Sequence, residues 1–314
     1  MKIAAFTGGV GGAKLIHGLA KLLPAEELSV IVNTGDDFEY LGLKISPDLD
    51  TVCYTLAELA NPATGWGRKD ESWTIYQEIA ALDGPNWFHI GDRDLATHIL
   101  RTYKLNQGLT LSEITAELCR CWGVKHPIFP MSDQSVRTVV HTTGGEALTF
   151  QEYFVHQACE PVVEHFEFVG IEDAHPHPQA ISAIEACDVV IISPSNPWVS
   201  IDPILKISGY VDAIREKPVV SVSPLISGKA LKGPAAKMYQ ELGVTPSAGA
   251  VAAHYKDILT GFVFDEQDRH ELEKIERWRI IALVTDILMN NDQDRVRLAE
   301  EVLRFCETIL NRSR

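Results

Sequence analysis

Met1-Lys-Ile-Ala-Ala-Phe-Thr-Gly-Gly-Val-Gly-Gly-Ala-Lys14 reads as a buried strand running into a glycine-rich turn and then a helix that opens near Ala13. Gly8, Gly9, Gly11 and Gly12 allow backbone torsions and close approaches that other residues forbid, so main-chain N–H groups can converge on an anion. The positive end of the helix dipole adds to that attraction. Openings of this kind serve dinucleotides, nucleotide sugars and nucleoside phosphates alike. Gly9-Val-Gly11-Gly12-Ala13-Lys14 lacks the third glycine of G-x-G-x-x-G, and Leu15 follows Lys14 where a P-loop carries Ser or Thr. The expectation is a phosphate cradle outside both fingerprints, weighed against a tight turn with no ligand.

Outward from this stretch, helical spacing continues to Leu23, Pro24 closes the segment, and Leu28 to Asn33 forms a β-branched run fit for a second parallel strand. Thr34-Gly-Asp-Asp37 follows at that strand's carboxyl end, where open α/β sheets bind ligands. Asp36 and Asp37 are there either a solvated loop or part of a cation site. Ser46-Pro-Asp-Leu-Asp-Thr-Val52 leads into a helical pattern from Val52 to Leu59, so Asp48 or Asp50 is either an N-cap or a further oxygen ligand.

From 61 to 177 the composition changes. Four of the six tryptophans, Trp66, Trp73, Trp87 and Trp122, fall here, and the first half is predominantly helical, which reads as an insertion. Gly91 to His98 begins a helix running toward Lys104, with Asp94 near its start and Arg93 placed either on a ligand or in a structural pair. Leu111 to Trp122 is amphipathic. Phe129 and Met131 precede Ser132-Asp133 and either wall a flat ring or join the core. Val136 to Val140 and Leu148 to Val155 read as strands around a Thr143-Gly-Gly-Glu146 turn. Ala-His175-Pro-His177-Pro reads as an extended linker rather than a metal pair.

Asp188 to Ser193 resumes the parallel strands, ending in Pro194-Ser-Asn-Pro197, where Ser193, Ser195 and Asn196 make an ordinary turn or contact phosphate. Pro218 to Ser223, Gly261 to Phe264 and Ile280 to Val284 are later strands, and Asp294 to Leu310 a closing helix. The pattern predicts an α/β fold: a doubly wound, mostly parallel Rossmann-like sheet, with 1–60 and 178–314 as core and 61–177 as a largely helical insertion.

With 314 residues and 46% hydrophobic content the core is ample, and a net charge of −15, from 43 acidic against 28 basic residues, argues against nucleic-acid or anionic-membrane partners. Six cysteines without a C-x-x-C pair fit a reducing compartment. No leader is visible at the start and no apolar run approaches about 18 residues, so a cytoplasmic protein is expected.

Taken in order, Gly8 to Leu15, Val32 to Asp37, Ser46 to Val52, Gly91-Asp-Arg-Asp-Leu-Ala-Thr-His98, Pro130-Met-Ser-Asp133 and Ser193-Pro-Ser-Asn-Pro197 make a specific set. The chain resembles, over nearly its whole length, the 2-phospho-L-lactate transferase family of coenzyme F(420) biosynthesis, also called LPPG:FO transferase or CofD. The resemblance implies transfer of a phospholactyl group, or phosphoenolpyruvyl as in bacterial relatives, from a guanosine diphosphate-linked donor to the ribityl hydroxyl of the deazaflavin FO. GMP leaves, and Mg²⁺ assists. On that resemblance Gly8, Gly9, Gly11, Gly12 and Lys14 hold donor phosphates together with Ser193, Ser195 and Asn196, and Asp50 with Asp36 or Asp37 holds the metal. Asp50 and Arg93 are the catalytic candidates against FO, with Met131 and Asp133 as further FO contacts. The implied partners are these small molecules, with a homodimer left open. The rival readings are a non-enzymatic regulator binding a nucleotide sugar in the same cradle, and a nicotinamide oxidoreductase. The second is weakened by the broken fingerprint and by the paired Asp36-Asp37 where a lone acid would sit.

Overall fold

The computed structural model describes residues 1–230 and 233–313. Seven parallel strands form the centre: β1 (Ile3–Thr7), β2 (Leu28–Val32), β3 (Ile128–Pro130), β4 (Val189–Ile192), β5 (Val219–Val222), β6 (Gly261–Phe264) and β7 (Ile281–Val284). Their spatial order is β7-β6-β5-β4-β1-β2-β3, with every neighbouring pair parallel. Parallel strands are covered on both faces and therefore read as continuous apolar runs rather than as alternation. In β1, Ile3 and Ala5 pack into one core and Ala4 and Phe6 into the other; β4 divides the same way, Val189 and Ile191 against Val190 and Ile192. The first core is closed by α1 (Val10–Leu22), α2 (Pro47–Leu56) and a long helix at 292–313, the second by helices from 178 onward. This is the doubly wound sheet expected from the sequence.

Two helices begin earlier than their patterns suggest. α1 opens at Val10 rather than near Ala13, so Gly11 and Gly12 lie in its first turn. α2 opens at Pro47, because proline suits the first helical position, and Asp48 and Asp50 lie inside the first turn with Ser46 at the N-cap. Neither aspartate is the cap.

Within 61–177 come Thr74–Ala81, α3 (Asp92–Asn106) and α4 (Leu111–Cys121), then a three-stranded antiparallel sheet in which Arg137–Thr142 lies between Ala147–Thr149 and Val163–Val169. The same range supplies β3, an edge strand of the central sheet. The strand expected over Leu148 to Val155 stops at Thr149. Glu152 Oε2 accepts from the backbone N–H and hydroxyl of Thr149, both at 2.8 Å, and its own N–H donates back to Thr149 Oγ1 at 3.3 Å. That reciprocal capping starts a π-helical turn over Glu152–His156 instead.

Candidate active site

Strand order reverses between β1 and β4, so the segments leaving their carboxyl ends diverge to opposite faces and leave a crevice, the place where open α/β sheets bind ligands. The glycine turn leaves β1 there and Pro194-Ser-Asn196 leaves β4. None of Gly8, Gly9, Gly11 and Gly12 has a positive φ, although Gly9, at φ −78° and ψ −121°, lies outside the standard regions. What chiefly demands glycine is crowding. A Cβ on Gly8 would meet Ser200 Oγ at 2.6 Å and one on Gly11 the Pro194 carbonyl oxygen at 2.6 Å, while Gly9 and Gly12 would collide with Asp48 and with the hydroxyls of Thr7 and Ser193.

Four carboxylates gather beside this crevice, Asp36, Asp48 and Asp50 on its wall and Asp37 behind Ser46. Asn33 donates its amide to Asp48 Oδ2 at 2.9 Å and to the Val199 carbonyl at 3.1 Å, tying the start of α2 to the β4 side. Burial pushes Asp48 up to about 6. Burial, with Asp48 beside it, also raises Asp36, whose Oδ1 has no hydrogen-bond partner. Asp37 accepts from Ser46 Oγ at 2.7 Å and keeps one buried oxygen without a partner. Asp50 is raised by burial against the pull of Arg101.

Arg101, only 2% exposed, is the buried cation of the site. Its guanidinium donates to Asp50 Oδ1, to His98 Nδ1 at 3.2 Å and to the Lys44 carbonyl at 3.3 Å. His98 Nε2 lies 3.5 Å from Asp94 Oδ1, which also accepts from the Tyr54 hydroxyl at 2.7 Å. Burial opposes ionisation of Asp94, yet the neighbouring His98 and the hydrogen bond from Tyr54 hold it below its ordinary value. Asp50 Oδ2 makes no hydrogen bond, His98 Nδ1 standing 3.6 Å away. Asp50, Asp94 and His98 bring ligand atoms within 4.8 Å of one another, but Arg101 already supplies a cation at that cluster.

The crevice opens into a cavity of about 720 Å³. Gly9, Gly11, Lys14, Ser195 and Asn196 line it, with Asp48 directly against Gly9, and so do Asp36, Asp50, Asp94 and His98. Trp66, Trp87, Phe88, Phe150 and Phe154 form an aromatic wall supplied by 61–177. Lys14 donates Nζ to the Met289 carbonyl at 2.8 Å, holding the segment after β7 on the rim. Gly8, Gly12 and Ser193 sit directly behind this surface.

Arg93, Met131, Asp133 and Asp37 are not on the cavity wall. Arg93 follows the first residue of α3 with its side chain in solvent and its backbone N–H on Glu71. Met131 is fully buried in the core, its carbonyl accepting from the Tyr210 hydroxyl. Asp133 accepts from the backbone and hydroxyl of Ser112, both at 2.8 Å, at the start of α4. In their place the wall holds Asp48, Asp94, His98 and the aromatic residues, with Arg101 behind them. One signal was in the sequence: Asp94, His98 and Arg101, spaced four and three apart, share one face of a helix.

A family model described as 2-phospho-L-lactate transferase CofD matches residues 3–302. The chain belongs to the CofD family. A CofD-family relative, the phosphoenolpyruvate transferase of Streptomyces griseus, is 40% identical over 316 residues, covering 98% of this chain and 99% of that one. The 2-phospho-L-lactate transferase of Methanopyrus kandleri is 41% identical over 318 residues, 99% of each chain. A solved structure of a UPF0052 family member from Bacillus halodurans superposes with a TM-score of 0.61 at 16% identity, over 96% of this chain and 98% of that one, a likeness of fold. CofD membership makes the chain a transferase by class. Among the described residues no helix is long and apolar enough to cross a membrane.

Proposed function

We propose that the chain moves a phospholactyl or phosphoenolpyruvyl group from a guanosine diphosphate-linked donor to the ribityl hydroxyl of FO, releasing GMP, in coenzyme F(420) biosynthesis. One observation carries the reading: in a chain of the CofD family, a single cavity joins an anion-binding helix start, buried carboxylates and an aromatic wall. Attack of an alcohol on an anhydride phosphorus needs placement and charge neutralisation more than covalent help. The first turn of α1 would take the donor's phosphates, and the aromatic wall the flat deazaflavin, which needs a mostly apolar pocket.

Asp50 lines the same cavity. Arg101 fixes one of its oxygens, and the other, which makes no hydrogen bond and has His98 Nδ1 3.6 Å away, would accept the acceptor hydroxyl's hydrogen bond and orient it. The donor set also fits Mg²⁺. Asp36 and Asp48 are oxygen ligands on the cavity wall, Asp36 with an orphan oxygen, and Mg²⁺ takes one or two carboxylates plus phosphates and water. Because Arg101 already compensates Asp50 and Asp37 faces Ser46, Asp36 with Asp48 is the better pair. When bound, the ion would neutralise charge on the phosphates.

Incubating the purified protein with Mg²⁺, FO and each guanosine-linked donor, then weighing the product, tests the reading. FO heavier by the phospholactyl or phosphoenolpyruvyl group is expected; unmodified FO with both donors would sink it. In calorimetric titrations, binding of a UDP-sugar without binding of FO would favour the regulator. Chelating the metal with EDTA should weaken GDP binding and leave FO affinity unchanged.

A further inference from the structure

Behind the cradle, four hydrogen bonds close a ring that begins and ends on Gly8. The Gly8 N–H donates to Ser195 Oγ at 3.0 Å. Ser193 Oγ donates to Thr7 Oγ1 at 2.8 Å, and Thr7 Oγ1 donates to the Gly8 carbonyl at 3.0 Å. Ser193 and Ser195 lie 3.0 Å apart. A hydroxyl has one proton. Since Ser193 gives its proton to Thr7, the Ser195 proton must point to Ser193. The direction of the whole ring is thereby fixed, from Gly8 N–H through Ser195, Ser193 and Thr7 back to the Gly8 carbonyl.

Two consequences follow. Gly8 N–H and all three hydroxyl protons are spent inside the ring, so none of them is offered to a phosphate while it stays closed. Gly9 N–H is likewise given to Asp48. The donors left for an anion are the N–H groups of Val10, Gly11 and Gly12, which the first turn of a helix cannot pair internally. The ring also locks the turn after β1 to the turn after β4 across the crevice, and Gly12 closes against it: a Cβ there would sit 2.6 Å from Ser195 Oγ and nearer still to Thr7 and Ser193. Thr7 is fully buried and Ser193 1% exposed, and neither is on the cavity wall.

We infer that Thr7 and Ser193 are positioning residues for the donor: their hydroxyl ring holds the start of α1 in register so that the N–H groups of residues 10–12 meet its phosphates. This rests on the proposed transferase reading, which makes a nucleoside diphosphate the occupant of the cradle. If instead the serine hydroxyls bound phosphate directly, Thr7, which reaches no ligand, would be indifferent.

Thr7→Val keeps the shape and removes the hydroxyl, Thr7→Ser restores it, and Ser193→Ala breaks the same ring at its next member should Thr7→Val not fold. GDP binding is read by calorimetry, and KM for donor and for FO by product formation. Thr7→Val and Ser193→Ala are expected to weaken GDP binding and raise donor KM by on the order of tenfold, a displaced cradle being the cause, with FO KM unchanged and Thr7→Ser close to wild type. Unaltered GDP affinity in Thr7→Val or Ser193→Ala would overturn the inference. So would an equal rise in both KM values, or failure of the wild type to bind GDP. Wild type that binds GDP but transfers nothing to FO would overturn the transferase reading alone, because the comparison of GDP affinities still stands.

Discussion

Asp50 and Arg101 are energetically one unit. Both are almost completely buried, and a buried charge stripped of its partner costs about 3–5 kcal/mol, whereas replacing the pair together costs much less. Arg101→Met should therefore destabilise by about that amount in urea denaturation. Adding Asp50→Asn to it should recover a large part, giving a coupling energy above about 1 kcal/mol in the double-mutant cycle. Additive losses would mean that the two side chains do not share a charge. At this scale the acids are easier to read from the sequence than their roles. Asp36, Asp37, Asp48 and Asp50 could be picked out because they follow early elements of the sheet, but Asp48 and Asp50 read equally as N-caps, and no sequence signal singles out Arg101 beyond the helix face it shares with Asp94 and His98. Nothing local announces that its partner lies fifty-one positions earlier in the chain.

Between elements, the seam of α1 with the helix at 292–313 carries a titrating group. His17 is 3% exposed; Arg295 donates to its Nδ1 at 3.4 Å, Asp292 stands 4.0 Å away, and Lys21 and Glu58 complete the charges around it. Burial first, and Arg295 next, lower its pKa from the ordinary histidine value, so the fold favours the neutral ring. A group whose pKa is depressed on folding gives stability that is whole above its unfolded pKa of about 6.5 and is lost as pH falls below that value through the folded one. The urea midpoint should drop between about pH 7.5 and about pH 5.5, and His17→Gln should flatten that drop. An unchanged slope in the variant would remove His17 from the cause. Element boundaries were the weaker part of the sequence reading, for identifiable reasons. Glycines at 11 and 12 disguise a helix start, because their small size serves packing on Ser193 to Ser195 rather than a turn. Pro47 was a helix signal that the neighbouring aspartates obscured. β3 is three residues long inside a region of changed composition, too short for any periodicity to show.

For the whole molecule, the doubly wound architecture was legible because the parallel strands other than β3 are apolar runs, several of them ending in turns of distinctive composition. The cavity was legible only in outline, since its aromatic wall comes from a segment whose side chains meet the core only after folding. That geometry has a consequence for binding. The chain carries −15 and the cavity wall holds Asp36, Asp48, Asp50 and Asp94, so on the proposed reading a diphosphate would be held by N–H groups and a cation, and the flat acceptor by ring contacts. Affinities for the two ligands should then be separable by mutation. Gly11→Ala puts a Cβ 2.6 Å from the Pro194 carbonyl oxygen, a backbone atom that can yield only by parting the β1 and β4 turns. It should weaken GDP binding by on the order of tenfold and leave FO nearly unaffected. Phe154 stacks on Phe150 at 5.5 Å, is 38% exposed and lines the cavity, so on the proposed reading Phe154→Ala removes FO contact area without disturbing either core. It should weaken FO binding by roughly tenfold, the cost of about 1.4 kcal/mol of lost contact, with GDP affinity unchanged. Calorimetry with GDP and fluorescence titration with FO read the two affinities independently. If each variant lost both ligands equally, the cavity would be one site for one ligand, and the division into a donor end and an acceptor end would fall.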